Sequence, residues 1–335
     1  MSRRGRNTGS FAGIALVLTM LAVAVPAGAE PTGPTSDQAT VSADKLPSFR
    51  LTAAGAYRYH GRGYVLPRAK LDIRGAVNAD LGGQRVDFEV YKGGKLVKRR
   101  SVELNTAGSK SVFHLDWRPG NKGRYRLKIG LTDEQKAIVD AGNGSKIAVV
   151  RSSIRQGSRG VSVRVFQYKL RKLHYVVPLN GRFNAATGRA MMAFRKVTGM
   201  RRTYSAGYSV ARKLAAGKGA FKLRYPGAGR HIEVSIGKQI MVMASGGKVT
   251  RIYHVSTGAP GTPTIRGTYR VYRKDWGTNE KGMVHSSYFI RGYAIHGYAS
   301  VPPYNASHGC VRVPVPNAAS IFRWVKYGTR IDTYY

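Results

Sequence analysis

The sequence predicts a multi-domain, mainly β protein in which a small three-helix module separates an N-terminal β-sandwich from a C-terminal β-rich domain. Three observations predict it. Apolar and polar residues alternate before residue 155, apolar residues recur every three or four positions between 160 and 225, and alternation returns beyond 230. A chain of 335 residues has room for domains that each bury a core. We therefore expect a sandwich at 46–155, helices at 160–225 and the last domain at 230–335.

The first 29 residues have the pattern of a cleavable signal peptide. Three arginines precede an apolar run over 11–25, and small residues follow at 27–29. The run is short for a membrane span, and no later stretch approaches the roughly 20 apolar residues that a spanning helix needs. Residues 30–45 are rich in Pro, Thr and Ser, which is typical of a flexible linker. We expect a secreted chain with no transmembrane segment after cleavage, exported by either the general secretory or the twin-arginine route.

The charge balance is strongly basic. Lys and Arg number 56 against 16 Asp and Glu, for a net charge of +40. Such a surface attracts polyanions. Export removes nucleic acid as the expected partner and leaves teichoic-type polymers, anionic lipid headgroups and the carboxylates of cell-wall peptides. The alternative is that the charge only maintains solubility.

The expected sandwich contains three clearly alternating segments, at 70–74, 85–91 and 125–129, separated by Gly-rich turns. Its acidic residues Asp72, Asp87 and Glu89 fall on the polar sides of these strands, so we interpret them as solvent-facing rather than as acid/base pairs. The sequence predicts a spacer or a binding module here.

Two amphipathic helices are predicted in the middle region. Their apolar positions are Val163, Phe166, Leu170 and Leu173, then Met191, Phe194 and Val197 after the Asn180-Gly181 turn. A third short helix over 210–214 completes the module. In the C-terminal domain we expect hairpins from residue 233 onward, a polar loop over 274–282 that is a candidate lid, a helix beginning at Pro316-Asn317, and a last strand over 330–334.

The single cysteine, Cys310, lies in the segment Ser307-His308-Gly309-Cys310-Val311-Arg312, and His296 lies 14 residues upstream. A lone thiol is either a buried small hydrophobe or a nucleophile, and two nearby histidines favour the nucleophile. An imidazole that accepts the thiol proton would produce a thiolate–imidazolium pair with a lowered cysteine pKa. We favour His296 as the base, with His308 shaping the site.

A zinc site formed by His296, His308 and Cys310 is the rival interpretation. We disfavour it because no acidic residue lies between positions 296 and 312 to act on a metal-bound water. Arg312 has two interpretations, a contact to a substrate carboxylate or a brace for the loop. Three tyrosines are predicted either to contact a peptide or to close the core, and they are Tyr288, Tyr298 and Tyr304.

The C-terminal hundred residues resemble the catalytic domain of L,D-transpeptidases. The matching segments are Thr262-Pro263-Thr264 with Gly267, then Ile295-His296-Gly297, then residues 307–312. The resemblance implies that Cys310 is the nucleophile, that His296 is the base oriented by the Gly297 carbonyl, and that amides from His308 through Gly309 to Cys310 form an oxyanion hole supported by Ser307. It further implies cross-linking of peptidoglycan stem peptides without a metal or organic cofactor. Water as the acceptor would instead give a carboxypeptidase.

Residues 160–225 resemble the peptidoglycan-binding three-helix domain, through residues 165–170, 173–175 and Asn180-Gly181-Arg182-Phe183. Asn180 and Asn184 depart from that family's pattern. The resemblance implies a wall-binding module in a wall-associated protein, and a helical spacer is the alternative. A basic wall-binding protein without catalysis is the non-enzyme alternative for the whole chain.

Overall fold

A computed structural model describes residues 47–138 and 145–335. The predicted signal peptide and most of the linker lie outside the described residues. Within these ranges, no helix has the length and apolar character needed to cross a membrane.

The N-terminal part consists of two β-sheets and a short helix. The strands of the first sheet run in the order β1-β4-β8-β7, and those of the second in the order β2-β3-β10-β9-β5-β6. The elements are β1 (Phe49–Ala54), β2 (Tyr57–Tyr59), β3 (Arg62–Val65), β4 (Leu71–Val77), β5 (Arg85–Lys92), β6 (Lys95–Glu103), β7 (Asn105–Ala107), β8 (Lys110–Trp117), β9 (Gly123–Gly130), α1 (Asp133–Ile138) and β10 (Ser145–Val149).

One hydrophobic core joins the two sheets. Ile73 and Phe113 of the first sheet belong to the same buried cluster as Phe88 and Leu127 of the second. These residues occupy alternate positions of their strands, so the period-two pattern explains which side of each strand is buried. Burial of these apolar faces stabilises the pair of sheets at about 25 cal/mol per Å² removed from water.

The expectation that Glu89 faces solvent is wrong. Its side chain is buried, and both carboxylate oxygens have partners. Arg99 Nη2 lies 2.7 Å from Glu89 Oε1, and the Tyr91 hydroxyl donates to Oε2 at 2.7 Å. Burial raises the pKa of Glu89, but the hydrogen bonds from Tyr91 and Arg99 outweigh it and hold the pKa below its usual value. The carboxylate is therefore a paired structural group.

Three helices form the middle module: α2 (Val161–Lys172), α3 (Ala185–Val197) and α4 (Tyr208–Ala215). Asn184 departs from the pattern of the peptidoglycan-binding domain, yet it caps helix α3. Its side chain accepts a hydrogen bond from the Thr187 N–H at 3.2 Å. The fully buried Gln167 donates to Asn180 Oδ1 at 3.0 Å and accepts from the Gly181 N–H at 2.9 Å. Asn180 thus takes part in holding the turn between α2 and α3.

The C-terminal part contains two further sheets and one helix. Their strand orders are β13-β12-β11-β19-β14 and β15-β16-β17-β18. The elements are β11 (His231–Ser235), β12 (Ile240–Ser245), β13 (Lys248–His254), β14 (Gly267–Arg270), β15 (Arg273–Thr278), β16 (Val284–Ile290), β17 (Tyr293–Tyr298), β18 (Val311–Pro314), α5 (Val315–Trp324) and β19 (Arg330–Tyr334). The middle module and both sheets belong to one compact unit.

The segment predicted as a polar loop over 274–282 is mostly strand. β15 occupies its first half and pairs antiparallel with β16, with an irregularity between Asp275 and Thr278. Trp276 stacks on His285 with ring centroids 3.7 Å apart. The cross-strand contacts that hold this strand are invisible in its polar, Gly-containing sequence, so the loop prediction was wrong.

Candidate active site

Two neighbouring strands bring the predicted nucleophile and base to one surface. Cys310 directly precedes β18, which pairs in parallel with β17 in the register Ile295↔Val311 and His296↔Arg312. Because side chains alternate along strands, Cys310 and Arg312 lie on the same face as His296. The alternate residues Ile295 and Val311 are buried in the core behind that face. The sheet therefore places thiol, imidazole and guanidinium side by side.

The Cys310 thiol is partly buried, and the backbone of the neighbouring strand surrounds it. Sγ accepts a hydrogen bond from the Ala294 N–H at 3.4 Å and lies 3.8 Å from the Gly292 carbonyl oxygen. Burial raises the pKa of the thiol, and the Ala294 hydrogen bond and Arg312 only partly oppose this. The thiol is therefore protonated at neutral pH.

The His296 imidazole is buried and held in one orientation. Its Nδ1 lies 2.9 Å from the Gly297 carbonyl oxygen. Since a carbonyl only accepts, Nδ1 carries the proton and Nε2 presents a lone pair. Burial lowers the pKa of His296 to about 4, and the Gly297 carbonyl opposes this shift. The predicted base is therefore neutral and can accept a proton.

These protonation states differ from the expected thiolate–imidazolium pair. Burial disfavours the charged form of both groups, which raises the pKa of a thiol and lowers that of an imidazole. The resting site holds a neutral thiol and a neutral imidazole.

A rigid turn precedes the thiol. Ser307 Oγ donates to the Cys310 carbonyl at 2.6 Å and accepts from the Gly309 N–H at 3.2 Å. Thr264 Oγ1 donates to the Gly309 carbonyl at 2.7 Å. Gly309 has φ of 108°, and a Cβ there would lie 1.7 Å from the Tyr293 ring, so only glycine fits. The Gly309 N–H is thus engaged in the turn.

Arg312 is anchored by its backbone, while its side chain lies on an aromatic ring. Its N–H and carbonyl pair with Ser256 at 2.9 and 3.1 Å. Its guanidinium carbon lies 4.2 Å from the centroid of the Tyr298 ring. The same ring meets His296 edge-on, with centroids 5.7 Å apart. Tyr298 therefore contacts both the base and the cation.

A family model of the YkuD L,D-transpeptidase catalytic domain matches residues 229–332. The solved L,D-transpeptidase of Xylanimonas cellulosilytica (residues 123–326) is 31% identical, with a TM-score of 0.50, over 55% of this chain and 98% of that one. The chain belongs to the L,D-transpeptidase family. This confirms the resemblance seen in the C-terminal residues, whereas the resemblance of residues 160–225 to a peptidoglycan-binding domain stays a prediction.

Two other solved L,D-transpeptidases show weaker similarity. One, from Stackebrandtia nassauensis, is 18% identical over 56% of this chain and 98% of that one, with a TM-score of 0.36. The Enterococcus faecium catalytic domain is 26% identical over 31% of this chain and 96% of that one, with a TM-score of 0.28. No curated protein matches the chain.

The remaining predicted residues of this L,D-transpeptidase have different surroundings. Tyr288 is buried in a small cluster with Met283, Ala294 and Cys310. Tyr304 is 61% exposed, and its carbonyl accepts a hydrogen bond from Ser256 Oγ at 2.6 Å. His308 is exposed. No group of three or more His, Cys, Asp or Glu side chains suited to a metal occurs in the described part of the chain.

The sequence did not predict two contributors to the site of this L,D-transpeptidase. The Ala294 N–H contacts the thiol, and the Tyr293 ring occupies the space beside Gly309. Both arise from the parallel register of β17 with β18, for which the sequence carries no local signal. The Thr264 hydroxyl could have been predicted as part of the site, because Thr264 belongs to a segment that carries the family resemblance.

Proposed function

We propose that this protein is a secreted, cell-wall L,D-transpeptidase that cross-links peptidoglycan stem peptides through an acyl-enzyme on Cys310. The observation that carries the proposal is the shared face of β17 and β18, which presents the thiol together with an imidazole whose Nε2 lone pair is free to accept a proton. Nucleophile, base and orienting carbonyl are the parts that such a reaction needs.

In the first half-reaction, His296 Nε2 takes the thiol proton as Sγ attacks the carbonyl carbon of the third stem residue. The Gly297 carbonyl stabilises the imidazolium that forms, because Nδ1–H donates to it. The tetrahedral intermediate collapses when the carbon–nitrogen bond breaks, and the imidazolium protonates the departing amine of the terminal D-alanine. The acyl group remains on Sγ as a thioester.

In the second half-reaction, an amine of a neighbouring stem attacks the thioester carbonyl. His296 takes a proton from this amine and returns it to sulfur, so that the free thiol is restored and an amide cross-link is formed. Attack by water at this stage would release the shortened stem, which is the carboxypeptidase alternative. Because burial keeps His296 neutral, its imidazole can act as the base in both half-reactions.

We assign the supporting roles as follows. Backbone N–H groups at His308–Cys310 stabilise the oxyanion, a contribution that is typically worth about a hundredfold to a thousandfold in rate. In the resting turn the Gly309 N–H donates to Ser307 Oγ, so Gly309 contributes only if that hydrogen bond opens. The Arg312 guanidinium binds a substrate carboxylate, Tyr298 packs beside the peptide, and the buried Tyr288 packs against Cys310 from the core.

Association with the wall is proposed from charge and from the middle module. The outer side of β9 and β10 carries a depression of about 400 Å³ that we call the basic depression. None of its described lining residues carries a carboxylate, and they include Arg62, Arg124, Arg126, Lys128 and Lys146. Phosphate-bearing wall polymers fit this chemistry, since Arg and Lys pair well with phosphates.

Intact mass spectrometry tests the acyl-enzyme. The mature protein is incubated with a tetrapeptide stem or with a carbapenem, which mimics the acyl donor. We expect an adduct on the wild type, none on Cys310→Ala, and formation slowed about a hundredfold or more in His296→Ala. His114→Ala, which alters an exposed histidine of β8, serves as the control. An adduct on Cys310→Ala, or none on any variant, would reject the proposal and favour a non-catalytic wall-binding protein.

A further inference from the structure

A groove separates the middle helical module from the L,D-transpeptidase domain. Its volume is about 590 Å³, and we name it the interdomain groove. The helical side contributes Gly188, Arg189 and Tyr204, and the other side contributes Tyr298, Val301 and Pro314. Small-molecule and peptide sites commonly lie at domain interfaces in clefts of about 300–1,000 Å³.

The groove is continuous with the active site through Tyr298. This ring lines the groove and also contacts His296 and Arg312. Cys310, Arg312 and Pro314 follow one another on one face of β18, and each two-residue step along a strand covers about 6.6 Å. The groove therefore begins on the His296 side of the thiol, about 13 Å from Cys310.

Direct contacts hold the walls of the groove together. Arg202 donates to the Pro303 carbonyl at 2.7 Å and to the Gly237 carbonyl at 3.0 Å. His254 Nε2 donates to the Val301 carbonyl at 2.9 Å, and Lys196 of α3 reaches His254 Nδ1 at 2.7 Å. A groove built this way is already formed before a ligand arrives, which reduces the entropy lost on binding.

Arg189 supplies the only charge in the groove lining that the structure describes. The other lining residues are apolar or neutral, and they are Gln156, Ala185, Gly188, Tyr204, Tyr298, Ala299, Val301, Pro314, Val315 and Pro316. Burial lowers the pKa of Arg189, and no carboxylate lines the groove among the residues that the structure describes. A half-buried guanidinium that has no carboxylate partner in the lining is available to pair with an anionic group of a ligand.

We propose that the interdomain groove binds the acceptor peptide, with a carboxylate of that peptide paired to Arg189 and its apolar part packed on Tyr204 and Tyr298. This inference rests on the proposed function, because it presumes an acyl-enzyme on Cys310. The acceptor amine then reaches the thioester from the side where His296 Nε2 takes its proton. A peptide that enters from the opposite side would have no base at its amine.

Acceptor analogues that differ in one group test the proposal. Acyl transfer from a fixed tetrapeptide donor is followed with an acceptor peptide that ends in a carboxylate and with the same peptide ending in a carboxamide. In the wild type we expect the carboxylate form to have a KM about 10–100-fold lower, since a hydrogen-bonded ion pair in a half-buried groove is worth about 1.5–3 kcal/mol. In Arg189→Gln this preference disappears, and in Tyr204→Ala the KM rises for both acceptors.

Arg212→Gln removes an exposed arginine from α4 of the same module and is the matched control, which should keep the carboxylate preference. Carbapenem acylation is recorded for every protein. If the wild type is not acylated, the proposed function fails and the groove is not at issue. If the wild type is acylated but shows no carboxylate preference, or if Arg189→Gln raises the KM of the donor instead of the acceptor, the groove proposal is overturned.

Discussion

At the scale of single residues, burial has the largest chemical effect on the site. It keeps His296 unprotonated and Cys310 protonated, and the Gly297 carbonyl decides which imidazole nitrogen carries hydrogen. A free thiolate would be open to oxidation and to side reactions, whereas a neutral pair generates its nucleophile only as the substrate is attacked. Identifying the two residues was within reach of the sequence, but their protonation states depend on burial that the sequence does not show.

The pH dependence of acylation follows from these two pKa values. Because a protonated imidazole cannot accept the thiol proton, we expect kcat/KM for a tetrapeptide donor to fall as pH drops through about 4 and to stay level from about pH 5 to pH 8. Above the usual cysteine range the rate rises as thiolate forms, since the thiol pKa is raised. Stopped-flow or mass-based rates from about pH 3.5 to about pH 10.5 measure this, with unfolding monitored in parallel. An inflection near the ordinary histidine value of about 6.5 would contradict the assignment.

At the scale of elements, a polar chain links helix α3 to the turn that carries the thiol. Lys196 donates to the carbonyls of Gln239 and Val255 at 3.1 and 3.0 Å. The Gln239 side chain accepts from the Thr257 N–H at 2.8 Å, and the Thr257 carbonyl accepts from the Ser307 N–H at 3.0 Å. Ser307 in turn holds the Cys310 carbonyl. The helical module therefore supports the catalytic turn.

Hydrogen-bond accounting places a positive charge on the Lys196–His254 pair. His254 Nε2 donates to the Val301 carbonyl, so Nδ1 of a neutral imidazole accepts, and Lys196 Nζ then needs three N–H groups for its three partners. Burial and, less strongly, Arg202 oppose this charge and lower the pKa of Lys196 to about 6, so the pair holds its proton most firmly below neutral pH. Such a buried, fully bonded cation is costly to truncate.

Replacement of Lys196 tests this link. In Lys196→Met the three acceptors lose their donor, so we expect the free energy of unfolding to fall by about 2–5 kcal/mol and acylation of Cys310 to slow. Lys218→Met changes an exposed lysine of the same module and should alter neither quantity. Thermal unfolding and carbapenem acylation provide the two measurements. Equal behaviour of both variants would show that the buried pair does not couple the module to the site.

At the scale of the whole molecule, part of the net charge of +40 is concentrated in the basic depression. The acidic residues of β5 near the basic depression are engaged by Arg99, which pairs with both Asp87 and Glu89. The register places Lys146 opposite Arg126 on adjacent strands, so like charges stand side by side, and no lining residue in the described part of the chain is a carboxylate. Repulsion of this kind is relieved by a bound polyanion.

Binding to long-chain inorganic polyphosphate measures this contribution. We expect the triple variant Arg124→Gln/Arg126→Gln/Lys146→Gln to bind polyphosphate more weakly. The slope of log affinity against log salt should become shallower by about 2–3, because each lost phosphate contact removes about 0.7–0.9 from that slope. The matched triple Arg50→Gln/Lys110→Gln/Arg118→Gln removes three exposed charges from β1, β8 and the residue after it. If both triples lower the slope equally, the attraction comes from net charge and the basic depression is not a binding site.

Periodicity and motif are properties of residues close together in the chain, so the sequence by itself determined the succession of β-rich, helical and β-rich segments. It also predicted Cys310 as the nucleophile and His296 as the base. Contacts between distant segments have no local signature. For that reason only the tertiary structure decided that residues 273–278 form a strand, that Glu89 is buried beside Arg99, and that the thiol and imidazole are both neutral. The interdomain groove has the same origin, because Arg189 and Tyr298 meet across it only when the helical module packs against the sheet.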